Sequence, residues 1–462
     1  MSTLDQVLSA IDAGFDSSLD RLMAFLRLQS ISTDPAYKEQ CRAAAEWLAA
    51  DLADAGIAAE VRPTPGHPMV VGHAVTAAAG PSVLFYGHYD VQPVDPLDLW
   101  HAPPFEPRIE TGADGVKRIR ARGASDDKGQ LMTFVEACRA WKVVTGSLPL
   151  PITVFFEGEE ESGSPSLNPF LEANRQELSK DLALICDTGM WDPKTPAITT
   201  SLRGMVYEQV TVTAANRDLH SGIYGGSARN PIHVLTRILA ALHDDDGRIT
   251  VPGFYDGVAE APTQLKGQWR SMGFDEAESL RQIGLSVPAG ERDRAPLERL
   301  WARPTCDVNG IWGGYTGEGA KTVIPSKAFA KVSFRLVGDQ DPTKIRDAFH
   351  DFVTSRLPAD CSAEFWSRDG SPALSLAIDS PALTRTRAAL QDEWGRPAML
   401  IGSGGSIPVV GSFKRILGMD SVMVGYGLDD DQIHSPNEKY DLTSFHKGIR
   451  SWARILAALA EK

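Results

Sequence analysis

The chain has 462 residues, more than the roughly 250–300 at which a single hydrophobic core stops growing, so two domains are expected. Its composition, 43% hydrophobic and 23% charged, is ordinary for a globular protein. The formal net charge of −14 argues against a nucleic-acid backbone or an anionic membrane surface as the main partner, and it would suit cations.

The first residues have the spacing of an amphipathic helix, because Leu4, Val7, Leu8, Ile11 and Phe15 fall on one face. Nowhere do about 18 apolar residues follow one another, so no membrane-spanning segment is predicted. The five cysteines are odd in number and lack CxxC spacing, which disfavours a disulfide framework or a thiolate zinc site. A reducing cytoplasm is the predicted location.

A second helix is predicted near residues 37–55, after which short β-rich runs alternate with helical segments. The runs predicted as strands are 69–75, 82–86, 118–121, 152–156 and 182–186. Several are continuous apolar runs, which is typical of parallel strands covered by helices on both faces. This region therefore predicts an α/β layered domain.

From about Ser201 the pattern changes to that of a smaller, open βαβ-type sandwich. The predicted elements are a strand at 205–214, a helix after Asn230-Pro231, an irregular region that includes 259–304, a strand at 328–337, a helix from Asp341-Pro342 and a strand at 362–366.

Beyond Ser380 the layered pattern returns, with a helix, strands at 398–401 and 421–424 and a C-terminal helix. The predicted organisation is a doubly wound α/β catalytic domain interrupted by an inserted α+β domain. The catalytic domain comprises residues 1–200 and 379–462, and the inserted domain residues 201–378.

Acidic residues and histidines follow several predicted strands. His88 and Asp90 follow the second run, and at period 2 their side chains point to the same side. A carboxylate commonly holds the second ring nitrogen of a metal-binding histidine. Because the carboxyl ends of parallel strands form one edge of a sheet, we expect the acids near other strand ends to converge there. The acids are Asp126, Asp127, Glu159, Glu160, Glu161 and Asp187, and His434 is expected to join them.

Each of these groups alone has an ordinary explanation. His-x-Asp occurs at polar strand ends, paired aspartates cap helices, and acidic stretches such as FFEGEEESGS occur in solvated loops. Together they supply a bridging carboxylate, nitrogen and oxygen ligands and a free base, as a site for two divalent ions requires. This inventory is His88, Asp126, Glu160 or Glu161, Asp187 and His434. Such donors suit zinc, with manganese or cobalt as alternatives.

Over nearly the whole chain, and in order, the motifs resemble those of the M20 family of co-catalytic metallopeptidases. The matching segments are YGHYDVQP, RGASDDKGQ, EGEEESGS, CDTGMW, DLHSGIYGG, KTVIPSKAFAKVSFRL, GSGGSIPV and IHSPNE. HSGIYGG and GGSIPV are most similar to the cytosolic dipeptidase branch related to carnosinase and peptidase V. The resemblance implies a zinc-exopeptidase-like catalytic domain and a ferredoxin-like inserted domain that acts as a lid and forms a homodimer.

The resemblance also implies two zinc ions per subunit. His88 and Asp187 would bind one ion, and Glu161 and His434 the other. Asp126 would bridge the two ions, and the peptide bond that follows it would be cis. In the acidic triplet the last glutamate aligns with the metal ligand and the middle one with the general base.

The base is therefore predicted to be Glu160, and Asp90 is predicted to orient His88. Glu159, the first glutamate of the triplet, has no predicted role in the site. A base must keep its lone pairs free of the metal in order to accept a proton from water.

The inserted domain supplies a second predicted set. His220 resembles the family histidine that polarises the scissile carbonyl, in dimeric dipeptidases from the partner subunit. Arg335 would pair with the terminal carboxylate of the substrate, and Thr322, Gly405 and Ser406 would add hydrogen bonds. The ordinary alternatives are an exposed turn histidine, a surface arginine and a glycine-rich loop.

The predicted reaction is hydrolysis of the peptide bond of a dipeptide or a similar small substrate. A water bridging two zinc ions would lose its proton to Glu160, and the ions with His220 would stabilise the tetrahedral oxyanion. An N-acyl-amino-acid or N-carbamoyl amide hydrolase of the same family is the alternative. A catalytically inactive binding homologue is the alternative from a different class, and the presence of every ligand and of the base argues against it.

Overall fold

The structure, a computed structural model, describes residues 1–74, 76, 80–405 and 407–461. Val75, at the end of the first predicted strand, and Ser406 lie outside the described residues. The chain divides into two compact units. The first comprises Met1–Thr200, Leu376–Ile401 and Pro408–Lys462, and the second comprises Ser201–Ser375 and Gly402–Ile407.

Both units contain helices and strands, which are numbered here in chain order. The helices α1 to α14 are Thr3–Leu26, Lys38–Asp54, Lys128–Thr145, Leu167–Ala173, Arg175–Leu178, Ser221–Tyr224, Pro231–Ala240, Thr263–Ser271, Glu276–Gln282, Pro296–Trp301, Pro342–Thr354, Pro381–Trp394, Pro408–Ser412 and Leu442–Ala460. The strands β1 to β18 are Ala58–Arg62, Met69–Ala74, Val83–His88, Arg108–Thr111, Lys117–Arg120, Ile152–Glu157, Leu182–Ile185, Ala197–Leu202, Gly204–Thr213, Leu219–His220, Thr305–Gly313, Val323–Ile324, Lys327–Leu336, Ser362–Ser371, Leu374–Ser375, Met399–Ser403, Ser421–Met423 and Lys439–Asp441.

Three helices start in the same way, with a polar cap followed by proline. In each, the cap side chain accepts a hydrogen bond from a backbone N–H of the first turn, and proline occupies a position where no N–H is needed. These starts are Asn230-Pro231, Asp341-Pro342 and Ser380-Pro381. The local chemistry explains why the sequence pattern located these helices.

The sheet of the first unit has the order β1-β2-β6-β3-β7-β17-β8, with β16 paired to β8. Strands β6, β3, β7 and β17 run parallel to one another, and the outer pairs are antiparallel. Every residue of β3, β6 and β7 is buried, as the continuous apolar runs predicted. Helix α3 covers this sheet, and the ring of Phe85 stacks on Phe134 at a centroid distance of 3.6 Å.

A separate three-stranded sheet, β18-β5-β4, joins distant parts of the first unit. Strand β5, which the sequence pattern grouped with the layered strands, pairs with β18 near the C-terminus. Lys439 lies opposite Arg120 in this antiparallel pair. The loop after β5 and the loop before β18 are thereby brought together.

The second unit contains the sheet β11-β13-β9-β14, in which each neighbouring pair is antiparallel. The chain order β9, α7, β11, β13, α11, β14 is that of a ferredoxin-like fold. One face of the sheet is buried with the two helices, as shown by Val210 of β9, Phe334 of β13 and Phe349 of α11.

The second unit differs from the sequence-based expectation in two places. Gly402–Ile407 belongs to this unit, because Arg203 donates through Nε to the carbonyl oxygen of Gly404 at 3.2 Å. The region 259–304, expected to be irregular, contains α8, α9 and α10, whose nine, seven and six residues are too short for a clear periodic pattern. Among the described residues, no helix combines the length and apolar character needed to cross a bilayer.

Candidate metal centre

Three parallel strands of the first unit end at one edge of the sheet, close to residues predicted as ligands. His88 is the last residue of β3 and lies opposite Glu157, the last residue of β6. Tyr86 of β3 lies opposite Ile185, the last residue of β7. The acidic turn that follows β6 and Asp187, which follows β7, therefore flank His88.

Asp126 lies between the two predicted histidine ligands. Its Oδ1 is 3.1 Å from Nε2 of His88, and its Oδ2 is 2.9 Å from Nε2 of His434. The same nitrogen of His434 is 3.3 Å from Oε2 of Glu161. Each oxygen of Asp126 thus faces a different histidine, as a bridging carboxylate would. The peptide bond from Asp126 to Asp127 is cis, which confirms the feature that the resemblance implied.

Two groups of donor atoms in this cluster have the spacing of a metal site. Within each group the atoms lie within 4.8 Å of one another, and Asp126 belongs to both. The groups are His88, Asp126 and Asp187, and Asp126, Glu161 and His434. Imidazole nitrogen and carboxylate oxygen are donors that zinc takes, so the set fits two divalent ions. The assignment of these five residues as ligands stays a prediction.

The charge state of the cluster reflects burial and crowding. Burial raises the pKa of Asp187 to about 7, and neighbouring carboxylates add to the shift. Hydrogen bonds to Asp126 and Glu161 raise the pKa of His434 to about 10. Buried carboxylates this close together retain protons unless positive charge stands beside them. The metal-free cluster is therefore short of positive charge, which two divalent ions would supply.

Asp90 connects His88 to the acidic turn. Nδ1 of His88 is 3.1 Å from the main-chain oxygen of Asp90 and 3.4 Å from its Oδ1. The backbone N–H groups of Glu160 and Glu161 donate to the Asp90 carboxylate at 3.3 and 3.1 Å. Ser32 donates to the same carboxylate through Oγ at 2.6 Å. Asp90 thus holds the imidazole chiefly through its main-chain oxygen and the turn through its buried carboxylate, in line with the orienting role predicted for it.

The first two glutamates of the acidic triplet have different surroundings. Glu159 is buried, and its carboxylate accepts the backbone N–H groups of His67 at 2.7 Å and Ser166 at 3.0 Å. Among the described residues, Glu160 belongs to neither donor group. Burial raises the pKa of Glu160 to about 9 in the metal-free chain. Glu159 therefore stabilises the turn, and the Glu160 carboxylate stands beside the donor groups.

His220 and Thr322, predicted to contact substrate, lie side by side in the second unit. His220 ends β10 and pairs with Val323 of β12. Nδ1 of His220 accepts the backbone N–H of Gly222 at 3.0 Å. When neutral, such a histidine carries its proton on Nε2 and can donate it. The carbonyl oxygen of Thr322 accepts the backbone N–H of Ser221 at 3.0 Å. His220 and Thr322 therefore both lie at the short antiparallel pair formed by β10 and β12.

Arg335, on β13, lies close to a second arginine that the sequence pattern did not indicate. Burial lowers the pKa of Arg203, and the positive charge of Arg335 lowers it further. Arg203 also holds the carbonyl of Gly404, next to Gly405, in the predicted substrate turn. Ser406 lies outside the described residues. Asp307 acts in the opposite direction and offsets part of the repulsion between the two arginines.

Further side chains that support the cluster were missed by the sequence pattern. Gln92 donates through Nε2 to Oε2 of Glu161 at 2.7 Å. Its place within the motif YGHYDVQP could have indicated that it lies at the site. Ser32, which donates to Asp90, lies in a segment with no motif. Glu438 binds the turn that contains Asp126, although only its place at the end of IHSPNE marked it.

Comparison with known proteins places the chain in a family. A model of "Peptidase family M20/M25/M40" matches residues 84–458. The chain belongs to this family. The family predicted from the motifs and the α/β fold class are thereby confirmed, and so is the predicted enzyme class, a metal-dependent hydrolase.

Similar proteins match over almost their whole length. The Cys-Gly metallodipeptidase dug1 of Schizosaccharomyces pombe is 30% identical, over 99% of this chain and 98% of its own. The human Beta-Ala-His dipeptidase is 28% identical, over 99% and 93% respectively. The structure of an M20 family metallo-carboxypeptidase from Sulfolobus solfataricus has a TM-score of 0.82 and 31% identity, and it covers 96% of this chain and 99% of its own.

Proposed function

We propose that this M20 chain hydrolyses the peptide bond of dipeptides or similar small substrates. The observation that carries the proposal is the position of Asp126, whose two oxygens face His88 and His434 at 3.1 and 2.9 Å. The similarity to proteins named as dipeptidases supports the choice of substrate. A substrate of this class has an amide bond, a free carboxylate and a free amine.

The residues that would hold the metal are those of the two donor groups. His88 and Asp187 would bind one zinc ion, Glu161 and His434 the other, and Asp126 both. Two bound zinc ions would supply Lewis-acid chemistry, polarising the scissile carbonyl and lowering the pKa of water. Manganese or cobalt would suit the same donors.

Glu160 is the proposed general base. Its carboxylate lies outside both donor groups and within a turn that Asp90 holds through two backbone N–H groups. In the reaction it takes a proton from the attacking water and delivers that proton to the leaving amine. Because hydrogen bonds within the chain hold this turn, the proposed base would be positioned before substrate binds.

The second unit is proposed to recognise the substrate and to act as a lid. His220, with its proton on Nε2, would donate to the oxygen of the scissile carbonyl. Arg335, with Arg203 beside it, would bind the terminal carboxylate, and Thr322 with the turn at Gly405 and Ser406 would add hydrogen bonds. The two neighbouring arginines, whose repulsion Asp307 offsets only in part, support an anion at this place.

Homodimerisation through the second unit and a cytoplasmic location are also proposed. The edge strand β11 exposes Val308, Ile311 and Trp312 at 44%, 49% and 39%, as a protein-binding surface would. All five cysteines are free thiols, which suits a reducing compartment.

A substrate panel tests the proposed function. The purified chain, loaded with zinc or with manganese, is assayed with Cys-Gly, with β-Ala-His, with N-acetyl and N-carbamoyl amino acids, and with a dipeptide amide. We expect the free dipeptides to be cleaved faster than the others. Cleavage of the acylated or carbamoylated amino acids alone would establish the rival hydrolase. A chain that binds metal and cleaves none of them would be an inactive binding homologue.

A further inference from the structure

The carboxylate of Glu438 is surrounded by donors from the turn that contains Asp126. The side chain is fully buried. Its Oε1 accepts the backbone N–H groups of Ser125 at 2.9 Å and Asp126 at 3.0 Å. Its Oε2 accepts the backbone N–H of Gly123 at 2.9 Å and Nη1 of Arg122 at 2.8 Å. Each oxygen therefore has two donors, and three of the four are main-chain groups of one turn.

The pairing of β18 with β5 places Glu438 at this turn. The backbone N–H of Ala121 donates to the carbonyl oxygen of Glu438 at 3.3 Å, which continues the ladder by one residue. A second acid from the same C-terminal segment adds a bond, since Oγ of Ser125 donates to Oδ2 of Asp431 at 2.6 Å. Asp431 is held in turn by Nζ of Lys439 at 2.7 Å.

His434 lies in the loop between these two anchors. Three residues of the loop that are not glycine have positive φ: Gln432 at 57°, His434 at 60° and Asn437 at 65°. Such a backbone persists only where the surrounding structure holds it. Asp431 precedes the loop and Glu438 follows it, so the contacts that fix the turn of Asp126 also fix the loop of His434.

We propose that Glu438 is a positioning residue that sets the separation of Asp126 and His434, and with it the affinity of the chain for the ion these residues share. The inference rests on the proposed assignment of the two residues as ligands. Glu438 contacts neither of their side chains in the described bonds, and it acts through the backbone of Ser125 and Asp126. Partners of ligands commonly tune metal sites in this way.

The ordinary alternative is that Glu438 only neutralises Arg122. Arg122 has other contacts, since Nη2 donates to the carbonyl oxygen of Pro93 at 3.0 Å and the guanidinium lies over the ring of Trp100. Under that alternative a change at Glu438 lowers the stability of the fold without altering metal binding in the folded chain. The positioning role and the ordinary alternative therefore predict different zinc affinities for a folded Glu438 variant.

The test compares Glu438→Gln with Glu208→Gln in the full chain. Glu208 is a matched control because it is equally buried and binds Arg346, His350 and Ser367 in the second unit. Zinc affinity is measured by competition with a chelator, and unfolding of the metal-free protein is followed by urea titration. We expect Glu438→Gln to weaken zinc affinity about 10–100-fold while Glu208→Gln leaves it unchanged.

Wild-type zinc affinity in a folded Glu438→Gln variant would overturn the positioning role. If that variant is unfolded without metal, the same titration is made on Glu438→Asp, which keeps the charge and shortens the side chain. Wild-type zinc affinity in Glu438→Asp would then overturn the positioning role of Glu438. A wild-type chain that binds no zinc would instead contradict the proposed function, so the two failures are distinguishable.

Discussion

Two groups of buried or half-buried acids in the first unit lie close together and differ in what balances their charge. In the group at the strand ends, Asp126, Asp187 and Glu161 stand beside two histidines. In the anchoring group, defined as Asp431, Glu438 and Asp441, each acid meets a lysine or an arginine. The pairs are Asp431 with Lys439 at 2.7 Å, Glu438 with Arg122 at 2.8 Å and Asp441 with Lys439 at 3.1 Å.

The two groups differ in the kind of cation beside each acid, which is a lysine or an arginine in the anchoring group and a histidine in the strand-end group. A buried carboxylate is costly unless a cation and hydrogen bonds compensate for lost water. The anchoring group has these partners within the chain. In the strand-end group the two histidines lower the pKa of Asp126, whereas burial holds the pKa of Asp187 at about 7. Asp187 is therefore expected to lower the stability of the metal-free chain. Burial also raises the pKa of Glu438 to about 7, so Arg122 compensates that carboxylate only in part.

The largest effect is expected at Glu160. Glu160→Gln keeps the size of the side chain and removes the base, so kcat should fall about 10²–10⁴-fold with both metal ions retained. Steady-state kinetics and metal analysis of the same sample check this. Glu159→Gln is the neighbouring control, and it should lower stability by about 1–3 kcal/mol while kcat changes far less. Equal losses of kcat would remove the distinction between the two glutamates.

The second-largest effect, a loss of stability, is expected in the anchoring group. Arg122→Met removes the cation beside Glu438 and leaves a buried charge without its partner. The free energy of unfolding of the metal-free protein should fall by about 3–5 kcal/mol, measured by urea denaturation. A loss below about 1 kcal/mol, typical of a surface pair, would show that Arg122 does not compensate the anchoring group.

The strand-end group should respond in the opposite direction. Burial and the neighbouring carboxylates raise the pKa of Asp187 from 3.8 to about 7, so its ionised form costs stability as the pH rises above 3.8. At pH 7 Asp187→Asn removes this cost, and the metal-free protein should become more stable by roughly 1–4 kcal/mol. The same substitution should weaken zinc binding. Urea denaturation with and without zinc tests both statements, and a variant less stable than the wild type without metal would contradict the comparison.

The smallest effect is expected at a half-buried pair near the surface, Arg62 with Glu177, which serves as a reference. Two hydrogen bonds from Arg62 lower the pKa of Glu177 to about 2, and His73, whose Nε2 is 2.7 Å from Oε1 of Glu177, adds to the shift. A depressed acid pKa stabilises the fold above the unfolded value of about 4.5, and this contribution is lost as the pH falls towards 2. Glu177→Gln should therefore cost less than about 1 kcal/mol at pH 7, and its difference from wild type should shrink below pH 4.5. A difference that does not depend on pH would exclude the ion pair as its cause.

The positions of His88 and Asp187 could be predicted from the sequence, because parallel apolar strands end at a common edge. The meeting of Asp126 with His434 was expected from family resemblance and from their places near strand ends. The contact that brings it about was not predicted, since it depends on the pairing of β5 with β18, two short strands far apart in the chain. The separate roles of Glu160 and Glu161 came from family resemblance, because neighbouring residues in a turn face different directions. The supporting contacts of Ser32 and Glu438 leave no periodic pattern, so only three-dimensional structure reveals them.

The number of metal ions that the chain binds is the most direct test of the central claim, that the strand-end acids form a two-ion site. Metal-free wild-type protein and Asp126→Ala are titrated with zinc, and bound ions are counted by elemental analysis after dialysis. We expect two ions per wild-type chain and a loss of both tightly bound ions in Asp126→Ala, because this carboxylate is shared by both donor groups. A wild-type chain that binds one ion or none, or an Asp126→Ala variant that retains both, would contradict the claim.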